Sequence, residues 1–494
     1  MLISKRKFIK LASLSFPLFI VSKPALSTFS TSAIKPISLM EKLADITEFG
    51  ALSGDYDNYS IIQGLLNEGR DVYIPNGVFT ISNSLVVKKN NQKIYGVGTL
   101  KITENNSMDV VVCNERTGFD MRGISVSAGG KQSGIYKTCC VKLIKSNAFS
   151  ISKCSFTNYI GGGVQLLNCN DGNISFNSFM EAADAKESFS SSVDICFYNG
   201  GANNTIYGNK CFGYGGYGIV FQTLADSVRS TFINNTISYN NIAEHSSYGI
   251  LIYRGGAQSL FKNNSISHNI VSGISGSNIN RAKDNFSFGA GIYIQGAEHS
   301  FIDNNHISKC NTLTKDEMLA PGAIGVANAS YVIISNNIIK DSSFYGIYIN
   351  DSNHLADPSG VVEIKNNEVT NSNRDAIKIN ESSNVLIYKN NVSGAKNGVV
   401  VTQKIGENIN GMKSIEIEGN SIKNIRGNAI NISNLKFFKI TNNNTVNNGR
   451  YSVNIIDSSS GKIEGNQFKS DGRSPSFINI ERSEEIEKYN NVFL

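Results

Sequence analysis

A short pattern recurs through residues 147–470: an apolar residue, two variable residues, an Asn, one variable residue, then another apolar residue. Aligned on the Asn, the copies fall at Asn177, Asn209, Asn235, Asn264, Asn305, Asn337, Asn367, Asn390, Asn420, Asn443 and Asn466, with Cys154 in the Asn slot of an earlier copy. The spacing returns repeatedly to a minimum of 23 residues, and insertions lengthen it elsewhere. A recurring minimum of this size marks a solenoid. Each copy is too small to bury its own apolar face, so the copies must stack into one continuous core.

Most copies carry a second strand after a small residue, as in Gly218-Ile219-Val220-Phe221, Gly249-Ile250-Leu251-Ile252, Gly291-Ile292-Tyr293-Ile294 and Ala376-Ile377-Lys378-Ile379. The alternation has period two, with apolar residues in and the residue between them out. Pro is scarce (7) and Trp is absent, while Asn, Ser, Ile and Gly are abundant, a mix that suits short strands and tight polar turns. With two or three strands per coil, the expectation is an all-β chain folded as a single-stranded right-handed parallel β-helix. The repeated Asn reads as a turn residue that tolerates left-handed geometry and stacks into a ladder. It is structural and not a site. A less regular copy at Phe119–Val126 puts Arg122 in the Asn slot.

Before the repeats, Asp57 is a candidate N-cap for a short helix through Ile61, Ile62, Leu65 and Leu66 that ends near Gly69. Val72-Tyr73-Ile74-Pro75-Asn76-Gly77-Val78-Phe79 reads as strand, turn and strand. The run from Asp45-Ile46-Thr47-Glu48-Phe49-Gly50-Ala51 through Asp55, Tyr56, Asp57 and Asn58 to Pro75 and Gly77 resembles the N-terminal segment of pectate-lyase-superfamily (pectin-lyase-like) β-helix proteins. Tyr56 and Asn58 depart from the usual pattern. The resemblance implies a helix capping the first coil, and it says little about substrate. Solenoids need caps because their ends expose core and unpaired strand edges.

Residues 1–27 read as an export signal: Lys5, Arg6 and Lys7, an apolar run from Phe8 to Val21, and small residues at Ala25-Leu26-Ser27. Ser4-Lys5-Arg6-Lys7-Phe8-Ile9-Lys10 resembles a twin-arginine signal with Lys for the first Arg, so the export route stays open. The expected divisions are 1–27 signal, 28–43 leader, 44–104 cap and first coils, 105–480 coils, and 481–494 a C-terminal cap. The expected location is periplasmic or extracellular, with no membrane span after cleavage. Removing the signal's five basic residues takes 46 Lys+Arg against 40 Asp+Glu to 41 against 40. A near-neutral chain gives no case for nucleic acid. The eight Cys do not form a small-domain disulfide framework; they read as packing residues, with room for one bridge after export. No metal site and no cofactor are predicted, and a Ca²⁺ requirement and the oligomeric state are not legible.

Outward side chains of successive coils form columns about 4.8 Å apart. One column reads Gln165, Cys196, Val220, Leu251, Tyr293, Gly325, Tyr348, Lys378, Val400, Asn431. Another, two residues on, reads Leu167, Tyr198, Gln222, Tyr253, Gln295, Ala327, Asn350, Asn380, Thr402. Their middle is rich in Tyr and amides, which suits sugars: aromatic faces cover apolar ring faces and amides bind hydroxyls. Insertions at about 180–193, 268–289, 310–321 and 351–360 fall on the same coils.

Glycoside hydrolysis needs two facing carboxyls, and the outward carboxylates Asp194, Glu298 and Asp375 form no pair in one column. β-Elimination or C5-epimerisation of a uronic acid needs a base for the C5 proton and cations for the carboxylate. The middle coils supply those groups. The candidate catalytic residues are Tyr293, Tyr348, Lys378, Arg254 and His299. The candidate substrate-binding residues are Tyr253, Gln295, Asn350, Arg374, Asn380, Tyr198 and Gln222. The expectation is an exported polysaccharide-active protein, a lyase or epimerase on an acidic glycan. The alternatives are a non-catalytic carbohydrate-binding or scaffold protein and a glycoside hydrolase.

Overall fold

A computed structural model of the chain describes residues 43–103, 108–129, 138–180, 192–213, 216–223, 229–253, 259–276, 289–311, 321–350, 360–382, 384–403, 414–470 and 477–494. The expected signal, Arg254 and most of the insertion residues lie outside these. Within them every coil gives one short strand to each of three long parallel sheets, of 17, 16 and 15 strands in the order a coil visits them. One coil shows the path: Phe301–Asp303 in the first sheet, His306–Ser308 in the second, Ile324–Ala327 in the third. Four middle coils add a fourth, four-stranded sheet between third and first, made of Gly201–Ala202, Thr231–Ile233, Leu260–Lys262 and Ala297–Glu298.

The period-two alternation sets the core. Ile302, Ile307, Ile324 and Val326 point inward and are fully buried, and their counterparts in other coils form one cluster from Ala44 to Phe468. Aromatic residues stack along it, with Phe197 and Phe221 4.6 Å apart between ring centroids.

Buried Asn side chains close the turn from first to second sheet. Asn305 Nδ2 donates to Asn337 Oδ1 at 3.0 Å and to the Ile266 carbonyl at 3.0 Å, while its backbone N–H donates to Asn337 Oδ1 at 2.9 Å. The ladder runs Asn177, Asn209, Asn240, Asn269, Asn305, Asn337, Asn367, Asn390, Asn420, Asn443, Asn466, Asn491. Asn235 and Asn264 therefore belong elsewhere. With Asn204 they form a second, shorter ladder at the other end of the first-sheet strand. The sequence pattern merged the two because Asn235 and Asn240 flank the same strand, Thr236–Ser238. The left-handed residue is also not the ladder Asn but the one before it, such as Asn304 (φ 54°) or Asn336 (φ 56°). Arg122 pairs with Ser152 at a strand end, so Ile124 and not Arg122 stands level with Cys154.

At the N-terminal end, Tyr59–Glu68 is a helix closed by Gly69 in the left-handed region (φ 85°). Asn58 occupies the N-cap position, and Asp57 Oδ1 accepts from Tyr59 N–H at 3.0 Å. Gln63 seals the edge of the third sheet's first strand: its Nε2 donates to the Val86 carbonyl at 3.0 Å and its Oε1 accepts from Val86 N–H at 2.7 Å. One amide thus replaces a neighbouring strand at an edge that would otherwise be open. At the other end the expected cap takes the form of one more coil. Glu484–Tyr489 and Val492–Phe493 pair in parallel with the strands before them. Among the described residues no helix is long and apolar enough to cross a membrane.

Candidate functional site

The third sheet carries the two columns as read. Gln165, Cys196, Val220, Leu251, Tyr293, Gly325, Tyr348, Lys378, Val400 and Asn431 are successive register partners. So are Tyr198, Gln222, Tyr253, Gln295, Ala327, Asn350 and Asn380. At about 4.8 Å per coil the second run spans roughly 29 Å.

A third column precedes these, formed by residues that the alternating pattern skipped. Tyr217, Tyr248 and Ala290 are register partners three residues before the first column, and Asp375 and Asn397 continue the position further along. Tyr345 stands at the same offset from Tyr348. The signal in the sequence is an aromatic or polar residue followed by Gly or Ala: Tyr217-Gly218, Tyr248-Gly249, Tyr345-Gly346, Asp375-Ala376. The small residue is required because the chain there turns into crowded core. A Cβ on Gly346 would sit 2.4 Å from Val369 Cγ1, and one on Gly249 would sit 2.5 Å from Val271 Cγ1.

The rings of these columns pack into an aromatic floor of two groups, Tyr217 with Tyr248 and Tyr293, and Tyr345 with Tyr348. Tyr217 and Tyr248 stack at 5.8 Å, Tyr248 meets Tyr293 at 5.7 Å, and Tyr345 stacks on Tyr348 at 5.1 Å. Gly325 makes room for this floor: a Cβ there would lie 2.7 Å from Tyr293 Cδ2 and 2.4 Å from the Pro321 carbonyl. Burial pushes the phenols up, Tyr345 and Tyr348 to about 12 and Tyr198, Tyr248 and Tyr293 further. At neutral pH these tyrosines are proton donors.

Beyond Tyr348 the floor gives way to charge. Lys378 is half-buried, and desolvation lowers its pKa while Asp375 opposes the fall. Its Nζ donates to Thr402 Oγ1 at 2.7 Å. Asp375 is buried and accepts from Asn397 Nδ2 at 2.8 Å. Desolvation raises its pKa against that bond and against Lys378, Lys396 and Arg374. Three cations therefore act on the Asp375 carboxylate, and Glu381 adds a second negative charge that acts on Tyr348. Beside them Asn380 Nδ2 donates to Asn350 Oδ1 at 2.8 Å, and Tyr348 Oη donates to the same oxygen at 3.3 Å.

The structure thus brings together Tyr293, Tyr348, Lys378, Arg374, Asn350 and Asn380, with Tyr253, Gln295, Gln222 and Tyr198 extending the same face. His299 is elsewhere. It follows the fourth-sheet strand and stacks on Tyr331 at 4.5 Å. Asp194 is not outward either. It is fully buried in the core, where Tyr159 Oη donates to its Oδ1 and His245 Nε2 lies 3.3 Å from its Oδ2. The backbone skips one residue between Val193 and Ile195 in the pairing register, and that turns Asp194 inward.

Stacked parallel coils of three strands define a parallel β-helix solenoid. A family model for the right handed beta helix region matches residues 76–286 and 273–357, more than half of the chain. The chain belongs to that family. No curated protein matches it. Among solved structures it is similar to PfbA, a surface adhesin of Streptococcus pneumoniae, at 15% identity over 79% of this chain and 92% of that one, with a TM-score of 0.49. It is also similar to an exopolygalacturonase from Thermotoga maritima (10% identity, 78% and 88% covered, TM-score 0.43). A third likeness is to the A-module of a mannuronan C-5 epimerase from Azotobacter vinelandii (13% identity, 91% and 99% covered, TM-score 0.40). At these scores none of them bears on what the third-sheet face does.

Proposed function

We propose that the protein is an exported, polysaccharide-active β-helix protein whose third-sheet face takes an acidic glycan and acts at C5 of a uronic acid, as a lyase or an epimerase. The observation that carries this reading is Lys378: a half-buried amine with a lowered pKa, a register partner of protonated Tyr348, in a cluster where Lys378, Lys396 and Arg374 outnumber the carboxylates of Asp375 and Glu381. A lowered pKa raises the neutral fraction of an amine, and the neutral amine is the base. Arg374 and Lys396 supply charge for the sugar carboxylate, whose polarisation acidifies C5–H. Lys378 takes that proton. In elimination the C4–O4 bond breaks, a C4=C5 double bond forms, and Tyr348 protonates the departing O4. In epimerisation a phenol, Tyr348 or Tyr293, returns a proton to C5 from the opposite face. Asn350 and Asn380 fit hydroxyl binding, and the aromatic floor fits the apolar faces of neighbouring sugars.

Hydrolysis is less well supported. Among the described residues of this face, the carboxylate nearest Asp375 along its strand is Glu381, six residues and roughly 20 Å away. A hydrolytic pair stands about 5–10 Å apart. The test is incubation of the protein without residues 1–27 with polygalacturonate, polymannuronate and polyguluronate. New near-ultraviolet absorbance marks a lyase, and exchange of C5–H for solvent deuterium without chain cleavage marks an epimerase. Either signal should vanish in Lys378→Met. Binding with neither signal would replace the enzymatic reading by a carbohydrate-binding one. Reducing ends without unsaturation would replace it by hydrolysis.

A further inference from the structure

A cavity lies on a different face from these columns. It has a volume of about 340 Å³ and is lined by Asn263, His299, Phe301, Tyr331, Ile333, Val361 and Glu363. Its floor is a column of the first sheet, because Phe301, Ile333 and Glu363 are register partners in three consecutive coils, spanning about 10 Å. Its wall belongs to another column. Asn234 and Asn263 follow one another in the left-handed turn positions, and Asn263 Nδ2 donates a hydrogen bond to Asn234 Oδ1 at 3.2 Å. In the next two coils that position passes to His299 (φ 46°) and Tyr331 (φ 53°), whose rings stack within 5° of parallel. Bulky residues are uncommon at positive φ, where Asn is favoured. The polar column thus turns aromatic at the cavity's edge. Phe301 remains 45% exposed on the floor.

We propose that this cavity binds one or two uncharged pyranose units of a glycan. An exposed Phe and two aliphatic side chains offer apolar surface for the C–H face of a sugar ring, and imidazole, phenol, amide and carboxylate groups at the rim match its hydroxyls. The charge argues against a uronic acid. Glu363 is the ionisable carboxylate of the floor. Lys365 Nζ and Tyr388 Oη both bond its Oε2, at 2.8 Å and 2.9 Å, so the nearest cation is already paired. A second carboxylate would meet repulsion here, in contrast to the cation-rich cluster around Lys378. The cavity stands apart from the C5 chemistry proposed for the third-sheet face and does not depend on it.

Saturation-transfer NMR with cellotriose, maltotriose and mannotriose, and with trigalacturonate as the acidic comparison, tests the site. At least one neutral trisaccharide should receive saturation, and Phe301→Ala should weaken its binding tenfold or more. Glu363→Gln should weaken it less. Lys378→Met should leave it unchanged, which separates this site from the third-sheet face. Phe301 is exposed, so its removal is compatible with folding, and an unchanged far-ultraviolet circular dichroism spectrum verifies that. The proposal is overturned if no neutral trisaccharide binds, if Phe301→Ala leaves binding intact, or if trigalacturonate displaces the neutral sugar.

Discussion

Lys378 and Asp375 titrate against their ordinary directions, and each shift makes a prediction. Burial lowers the lysine from its usual 10.5, so a reaction that uses it as base rises with pH through a limb below that value. The phenol of Tyr348 titrates only near 12, so no falling limb from it is expected between the two. Lys378→Met should cut turnover by roughly 10²–10⁴-fold, the range for loss of a general base, and kcat against pH shows both effects. Asp375 has a raised pKa in the folded protein, so its contribution to stability is present below the unfolded value and is lost as pH rises through the folded one. Asp375→Asn should therefore gain stability relative to the parent between acid and neutral pH, and, because Asp375 holds the Lys378 pKa up, it should move the rising limb of kcat to lower pH. Equal denaturation midpoints at pH 3 and pH 7 would show that the carboxylate is not strained. Asp194 plays a structural part. It is fully buried between Tyr159 and His245, and leaving buried polar groups without their partner typically costs about 1–3 kcal/mol each. Asp194→Ala should lower stability on that scale. Alternation alone marks Asp194 as outward, because a register skip of one residue leaves no trace in a hydropathy pattern. Tyr345 and Tyr248 were legible in principle, through the Gly that follows each.

Between residue and molecule, the turns carry the architecture. Asn337 accepts from the backbone and side-chain N–H groups of Asn305 and donates to the Ile302 carbonyl and to Asn367. Alanine there would orphan several buried groups, each worth about 1–3 kcal/mol. Asn337→Ala should therefore be strongly destabilising. Asn336→Ala changes a left-handed position whose side chain reaches Asp303 on the exposed surface, and should cost less. Comparable losses would mean that backbone strain, and not the ladder, holds the turn. The existence of the ladder was readable in the sequence, because burying an amide in every coil demands the same residue each time. Its membership was not, since an Asn at either end of one short strand looks alike without the fourth sheet to separate them. Two outward columns were legible, because side-chain period and coil register follow from strand geometry alone; the third, at Tyr217, Tyr248 and Asp375, was not, because alternation breaks at the small residue that follows each.

At the scale of the whole molecule, contacts run between neighbouring coils, so parts of the stack need not open together. The cysteines provide a way to watch this. All eight are buried thiols, seven of them between Cys113 and Cys211 and the eighth at Cys310. Burial drives the thiols of Cys154, Cys169, Cys196 and Cys310 to about 12. That leaves a thiolate fraction roughly three orders of magnitude below that of an ordinary cysteine with a pKa near 8.5. An oxidising compartment then has little to act on while the coils stay closed, which reconciles buried thiols with the proposed export. A thiol reagent should label no cysteine in the native protein and all eight in strong denaturant. At intermediate denaturant, peptide mapping should find Cys310 labelled at a different midpoint from the block of seven. The helix at Tyr59–Glu68 seals the coils before that block, whereas Cys310 lies where the coils carry their long insertions. Labelling of all eight at a single midpoint would show instead that the solenoid unfolds as one cooperative unit.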